Sequence, residues 1–157
     1  MSHTIKFKLD YIADFVDELA PKMVEAGAKV VEPVLKANTQ AAGGKSVRIT
    51  GKRTGSIQFI PRSTGFMFRS IRASHPVIDK TKAKYRTYVY FDGERRNGSG
   101  IKRNNEIAAY LEYGAPKKFN RSQEAMGFIK KTVSKTRKTV ESAMVQIVED
   151  YFRTENT

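Results

Sequence analysis

The run Asn105-Glu-Ile-Ala-Ala-Tyr-Leu-Glu-Tyr-Gly-Ala-Pro116 is the point from which the rest of the chain can be read. Ile107, Ala108 and Leu111 fall on one helical face, and Tyr110 and Tyr113 flank it. Gly114 is suited to the left-handed conformation that stops a helix, and Pro116 prevents its resumption. Tyr110, Glu112, Tyr113 and Gly114 therefore read as a structural corner between a short helix and whatever follows. Nothing in this run is a catalytic constellation.

Upstream, residues 11–38 read as a long helix. Ile12, Phe15, Val16, Leu19, Met23, Val24, Val30, Val31 and Val34 recur at spacings of three and four, the mark of one buried stripe. Asp10, Asp14, Asp17 and Glu18 sit near its start, where the helix dipole favours negative charge. Pro21 and Pro33 each remove an amide donor, which predicts a kink or break just before Pro21 and a second near Pro33. After Ala41-Ala-Gly-Gly44, Val47 and Ile49 alternate with polar residues, as do Ile57 and Phe59. Gly51-Lys-Arg-Thr-Gly55 lies between them, so residues 43–61 read as a basic β-hairpin insertion. Phe66–Ile71 fits a helical turn or the start of a strand, and 72–78 reads as extended. Tyr85–Phe91 reads as a strand with Tyr85, Thr87, Val89 and Phe91 on one face and Arg86, Tyr88 and Tyr90 on the other. Asp92-Gly93 begins a turn and Asn97-Gly-Ser-Gly100 reads as a loop. From about Gln123 to Phe152 an apolar stripe returns at helical spacing, a span of about 45 Å. The order predicts an α+β fold with long N- and C-terminal helices packed on a small antiparallel β-sheet, in one domain over 1–157.

The formal charge is +13, from 29 basic and 16 acidic residues. The middle of the chain carries it, since residues 41–138 hold 23 basic and 6 acidic side chains. Such a field favours nucleic acid, an anionic surface or acidic protein partners. The absence of cysteine removes disulfides, thiolate metal sites and cysteine nucleophiles, and fits a reducing compartment. No apolar run approaches the roughly 20 residues of a membrane span, and Met1–Leu9 lacks the apolar core of a signal peptide.

Catalytic readings find little to stand on. His3 and His75 are the only histidines. Ser74, His75 and Asp79 are the right residue types for a hydrolase set, but a triad draws its geometry from distant segments. Glu106 and Glu112 lie about 600° apart around a helix, which suits no paired acid–base work. Gly93, Gly98 and Gly100 lack phosphate-loop spacing. The expectation is no catalytic, cofactor-binding or metal-ligating residue. Tyr85, Tyr88 and Tyr90 interleave with Lys80, Lys82, Lys84 and Arg86, a pattern that suits base stacking but more often serves cross-strand packing.

Three segments together resemble a known family. They are Ala26-Gly-Ala28 leading to Lys36-Ala-Asn38, Ser63-Thr-Gly-Phe-Met-Phe-Arg-Ser-Ile71, and Glu106-Ile-Ala-Ala-Tyr-Leu-Glu-Tyr-Gly114. In order and spacing the chain resembles the small neck, head–tail joining and tail-completion proteins of long-tailed bacteriophages and prophages, which include minor tail proteins similar to the Z protein of phage lambda. The segment at 43–61 is longer than the family's usual connection. Met126-Gly-Phe128 stands where Pro-Phe-x-x-Pro-Ala is more common.

The resemblance implies a non-enzymatic virion structural protein at the head–tail junction or tail end, made in the bacterial host cytoplasm. Its implied partners are other phage neck or tail proteins, in a homo-oligomeric ring around the DNA channel, with nonspecific contact to DNA and neither membrane nor small-molecule substrate. Lys52 and Arg53 at the hairpin tip, and Arg95 and Arg96 in the second loop, are the expected partner contacts. The alternative reading is a nucleic-acid-binding protein that uses the basic middle segment.

Overall fold

The computed structural model describes residues 2–43, 46–51, 57–61, 65–82, 84–97, 100–114, 121–123 and 125–155. Helix α1 spans Ser2–Gly43 and helix α4 spans Phe128–Glu155. Between them lie β1 (Ser46–Gly51), β2 (Ile57–Pro61), the short α2 (Gly65–Arg69), β3 (Ile71–Ala73) and β4 (Val77–Asp79). These are followed by β5 (Lys84–Arg86), β6 (Val89–Phe91), β7 (Glu94–Asn97), β8 (Gly100–Arg103), α3 (Asn104–Tyr113) and β9 (Arg121–Gln123). The fold is α+β, with two long terminal helices and small antiparallel sheets in the middle of the chain.

The strands are distributed over several short ladders, in the order β2-β1-β9 and the pairs β3-β6, β4-β5 and β7-β8. The expected hairpin is present, with Val47 opposite Ile60 and Ile49 opposite Gln58. Strand β9 adds to the other edge of β1, an addition the sequence pattern does not predict. The single strand expected over Tyr85–Phe91 is split at Thr87–Tyr88. Its first half pairs with β4, in register Ile78 opposite Tyr85, and its second half pairs with β3. His75-Pro76 interrupts the facing segment, since proline supplies no ladder donor. The Ser74 amide donates to the Tyr88 carbonyl at 2.8 Å, and the Tyr88 amide donates to the Ser74 hydroxyl at 3.0 Å.

Helix α1 runs through both prolines, so of the kink or break expected at them the break is absent. Each removes one donor and frees one carbonyl four residues earlier, on Asp17 and Lys29. Both residues are exposed. Water can satisfy carbonyls on the outer side of a helix, while the bonds of neighbouring residues carry the helix through. Helix α4 begins five residues later than the periodicity suggests, because Gly127 adopts a positive φ of 62° just before it.

The chain forms two compact units. One comprises residues 1–30, 73–88 and 137–157, and the other residues 31–72 and 89–136. In the first, α1 and α4 approach closely at Gly27. A Cβ on that residue would lie 3.2 Å from Val140 Cγ1 and 2.8 Å from Met144 Cε. The phenol of Tyr85 donates to the carboxylate of Asp17. That bond, with desolvation and the nearby negative charge, raises the Tyr85 pKa above the ordinary phenol value.

The second unit holds the larger core, formed by Leu35, Ala42, Met67, Ile71, Phe91, Ala108, Leu111 and Phe128. Phe91 and Phe128 meet edge-to-face with ring centroids 6.0 Å apart. A buried polar seam joins α1 to α4 within this unit, where Asn38 Nδ2 donates to Thr132 Oγ1 at 2.9 Å. Thr132 in turn donates to the Phe128 carbonyl, and Thr136 to the Thr132 carbonyl.

Candidate functional site

The corner at the end of α3 is held by a carboxylate. Glu112 is 4% exposed, and its Oε2 and Oε1 accept the backbone amides of Ile129 at 2.7 Å and Lys130 at 2.9 Å. These amides belong to the first turn of α4, whose donors have no partner within the helix. Glu112 is thus an N-cap supplied from another element, placed where the helix dipole also favours negative charge. Main-chain bonds complete the joint. The Met126 amide donates to the Leu111 carbonyl at 2.9 Å, and the Gly127 amide to the Glu112 carbonyl at 3.3 Å. Gly114 has φ 80°, a conformation that favours glycine.

Tyr110 and Tyr113, assigned to the same corner from sequence, contribute differently. Both are exposed, Tyr113 by 79%. They stand on the outer side of α3, while Ala108 and Leu111 enter the core.

The start of α3 is fixed by two asparagines that the sequence alone does not single out. Asn104 is 1% exposed. Its amide donates to the Gly93 carbonyl at 3.0 Å, and its side-chain Nδ2 donates to the Asp92 carbonyl. Asn105 Oδ1 accepts the Phe91 amide at 3.0 Å. The turn at Asp92-Gly93, with Gly93 at φ 77°, is thereby tied to the helix it precedes.

Between these fixed points projects the β7–β8 hairpin. Arg95 and Arg96, expected in a loop, lie in a strand. Arg95 is opposite Lys102, Arg96 opposite Ile101, and Glu94 opposite Arg103. The sequence suggests a loop there because Glu-Arg-Arg-Asn and Gly-Ile-Lys-Arg show no apolar alternation. The Asn97-Gly98 dipeptide, a common hairpin turn, is the signal that points the other way. All the side chains of 94–96 and 100–103 are exposed, including Ile101 at 54%.

Directly opposed residues of an antiparallel pair share a face. Arg95 and Lys102 therefore place two like charges side by side. The Lys102 ammonium lies 5.7 Å from the centre of the Tyr110 ring, within cation–π range. The site is a ribbon carrying Arg95, Arg96, Lys102 and Arg103, with Tyr110 at its base. Lys52 and Arg53, the other expected contacts, lie outside the described residues.

The candidate hydrolase residues do not assemble into a triad. The Ser74 hydroxyl donates to the His75 carbonyl at 2.9 Å, and Asp79 Oδ1 accepts the Thr81 hydroxyl at 2.6 Å. His75 is exposed. Nearby, the Arg86 pKa is raised chiefly by its hydrogen bond to Tyr88. Among the described residues, no helix is long and apolar enough to cross a membrane.

The chain matches no family model, no curated protein and no solved structure.

Proposed function

We propose that this protein is a non-enzymatic structural subunit of a phage head–tail connection or tail-completion assembly, joining neighbouring neck or tail subunits in a ring around the DNA channel. The observation that carries the reading is the mounting of the β7–β8 ribbon. Arg95, Arg96, Ile101, Lys102 and Tyr110 are all exposed beside a corner tied together by hydrogen bonds of Glu112, Asn104 and Asn105. Arginine and tyrosine are the residue types enriched at interface hot spots. A rigid base that presents them is suited to docking. The three sequence segments that resemble the neck and tail-completion family support the same role.

The test is complementation. A phage lacking this protein is supplied in trans with a variant in which Lys52, Arg53, Arg95 and Arg96 are all changed to Glu. Electron microscopy is expected to show heads and tails that fail to join, against normal particles with the unaltered protein. Normal joining by the variant would remove these residues from the interface. Normal joining without any copy of the protein would overturn the role itself.

A further inference from the structure

The turn from β6 into β7 is the dipeptide Asp92-Gly93, and both of its residues are exposed. Gly93 takes φ 77°, and its amide donates to Oδ1 of Asp92 at 2.8 Å. The nitrogen of this peptide bond therefore rests against the side-chain carboxylate of the residue before it. Glycine has no side chain to shield that nitrogen.

We propose that Asp92-Gly93 is a site of spontaneous aspartate isomerisation, and that Asn104 sets its rate. The chemistry belongs to the chain itself and is independent of the role proposed above.

The Gly93 nitrogen attacks Cγ of Asp92, and a new C–N bond closes a succinimide ring. The nitrogen gives up its proton, a second proton comes from solvent, and one carboxylate oxygen leaves with them as water. Water then opens the ring at either carbonyl. Attack at Cγ restores aspartate. Attack at the main-chain carbonyl carbon breaks the bond from that carbon to the nitrogen and leaves isoaspartate, in which the backbone runs through Cβ and Cγ. Water is the only co-reactant, and nothing is oxidised or reduced. A nitrogen 2.8 Å from one carboxylate oxygen is near the carbon that bears it, and groups poised to react stand about 3–3.5 Å apart.

Ring closure also turns the peptide plane between Asp92 and Gly93 until the nitrogen faces Cγ. Asn104 opposes that turn. Its Nδ2 donates to the Asp92 carbonyl, and its amide donates to the Gly93 carbonyl at 3.0 Å. The Asp92 amide is held as well, by the Ser70 carbonyl at 2.8 Å. Asn104 is 1% exposed, so a donor released from Asp92 has no ready exchange with water. The reaction proceeds from local openings of the turn, which cost less at an exposed site than global unfolding does.

Isoaspartate lengthens the main chain by one methylene between β6 and β7. The Phe91–Asn105 and Gly93–Asn104 hydrogen bonds cannot both keep their register across that insertion, so the β7–β8 ribbon loses its fixed base.

The experiment holds the purified protein at neutral pH, below its melting temperature, for several weeks, and then unfolds and digests it with trypsin. Cleavage after Arg86 and Arg95 releases residues 87–95, which contain Asp92-Gly93, apart from residues 97–102, which contain Asn97-Gly98. Chromatography with mass spectrometry, and methylation by an isoaspartyl methyltransferase, measure isoaspartate in the first peptide. A synthetic peptide of residues 87–95 supplies the unclamped rate. Isoaspartate is expected at position 92 of the native chain, forming more slowly than in the free peptide. Asn104→Ala is expected to raise the rate about fivefold, the effect of losing one hydrogen bond that opposes the reaction. Asp92→Glu, which would have to close a larger ring, is expected to give none. Circular dichroism verifies folding. Should the alanine variant not fold, Asn104→Asp keeps the shape of the side chain without its amide donor.

A native chain free of isoaspartate at 92 while the peptide converts would overturn the site. A native rate equal to that of the peptide, or one unchanged in the Asn104 variant, would overturn the control by Asn104.

Discussion

At the residue scale, one carboxylate has the largest structural consequence. Glu112 is buried and spends both oxygens on the first turn of α4. Without it, two amides at the foot of a 28-residue helix lose their acceptors in a partly buried place. Loss of a helix cap costs about 0.5–2 kcal/mol, and hydrogen bonds to a charged group contribute about 1.5–3 kcal/mol each. Glu112→Ala is expected to destabilise the protein by about 2–4 kcal/mol in urea unfolding. Glu112→Gln, which retains one acceptor oxygen, is expected to fall between that variant and the native chain. A Glu112→Ala protein as stable as the original would show that water caps α4 equally well. The importance of Glu-Tyr-Gly is legible in the sequence, because a helix stop of this kind has local chemistry. The partner of Glu112 is not, since Ile129 and Lys130 lie beyond residues 115–120 and no local pattern links the two ends. Tyr113 shows the converse. An aromatic beside a buried glutamate reads as packing, yet its position on α3 turns it to solvent.

At the element scale, the two long helices are legible from apolar spacing of three and four, a signal that repeats over many turns. Their ends and contacts are not equally so. The prolines of α1 suggest interruption, but a proline costs one hydrogen bond and a local clash, which a helix of 42 residues held by tertiary contacts survives. The short strands are harder still. Three- and four-residue ladders have too few positions to establish a period, which is why Arg95 and Arg96 look like loop residues in the sequence and the 85–91 strand looks continuous.

Gly27 gives the helix pairing a direct test. It lies where α1 comes so near α4 that even a methyl group would press on Val140 and Met144. Alanine there would set better helix propensity against a slight displacement of the flexible Met144, so its sign is balanced. Leucine cannot be balanced in that way. Gly27→Leu must displace a β-branched side chain and part the helices, at a cost of about 1–3 kcal/mol or more. The expected outcome is a lower midpoint in thermal unfolding with helical content retained below it. An unchanged midpoint would mean that the helices do not approach at Gly27 in solution.

At the scale of the whole molecule, the dominant quantity is the uneven charge. A basic middle is visible in the sequence, and the structure assigns that excess to one compact unit, a step that requires knowing which distant segments fold together. A unit of net +12 repels itself. The Debye length falls from about 30 Å at 0.01 M to 3 Å at 1 M ionic strength, so added salt weakens repulsion between charges spread across a surface. The exposed i,i+4 pairs Lys22–Glu18, Lys29–Glu25 and Arg137–Glu141 are also screened, but each is worth at most a few tenths of a kcal/mol. Repulsion among 18 cations facing 6 anions therefore outweighs what salt removes from these pairs. The melting temperature is expected to rise between 20 and 300 mM sodium chloride. For a chain of this size a gain of 1 kcal/mol corresponds to about 2–4 °C, within reach of scanning fluorimetry or circular dichroism. A melting temperature that falls with salt would mean that favourable pairing exceeds repulsion, and that the basic unit is already balanced by its own carboxylates. A rise would identify an electrostatic strain that an anionic partner relieves on binding, since whatever binds the folded state alone stabilises it.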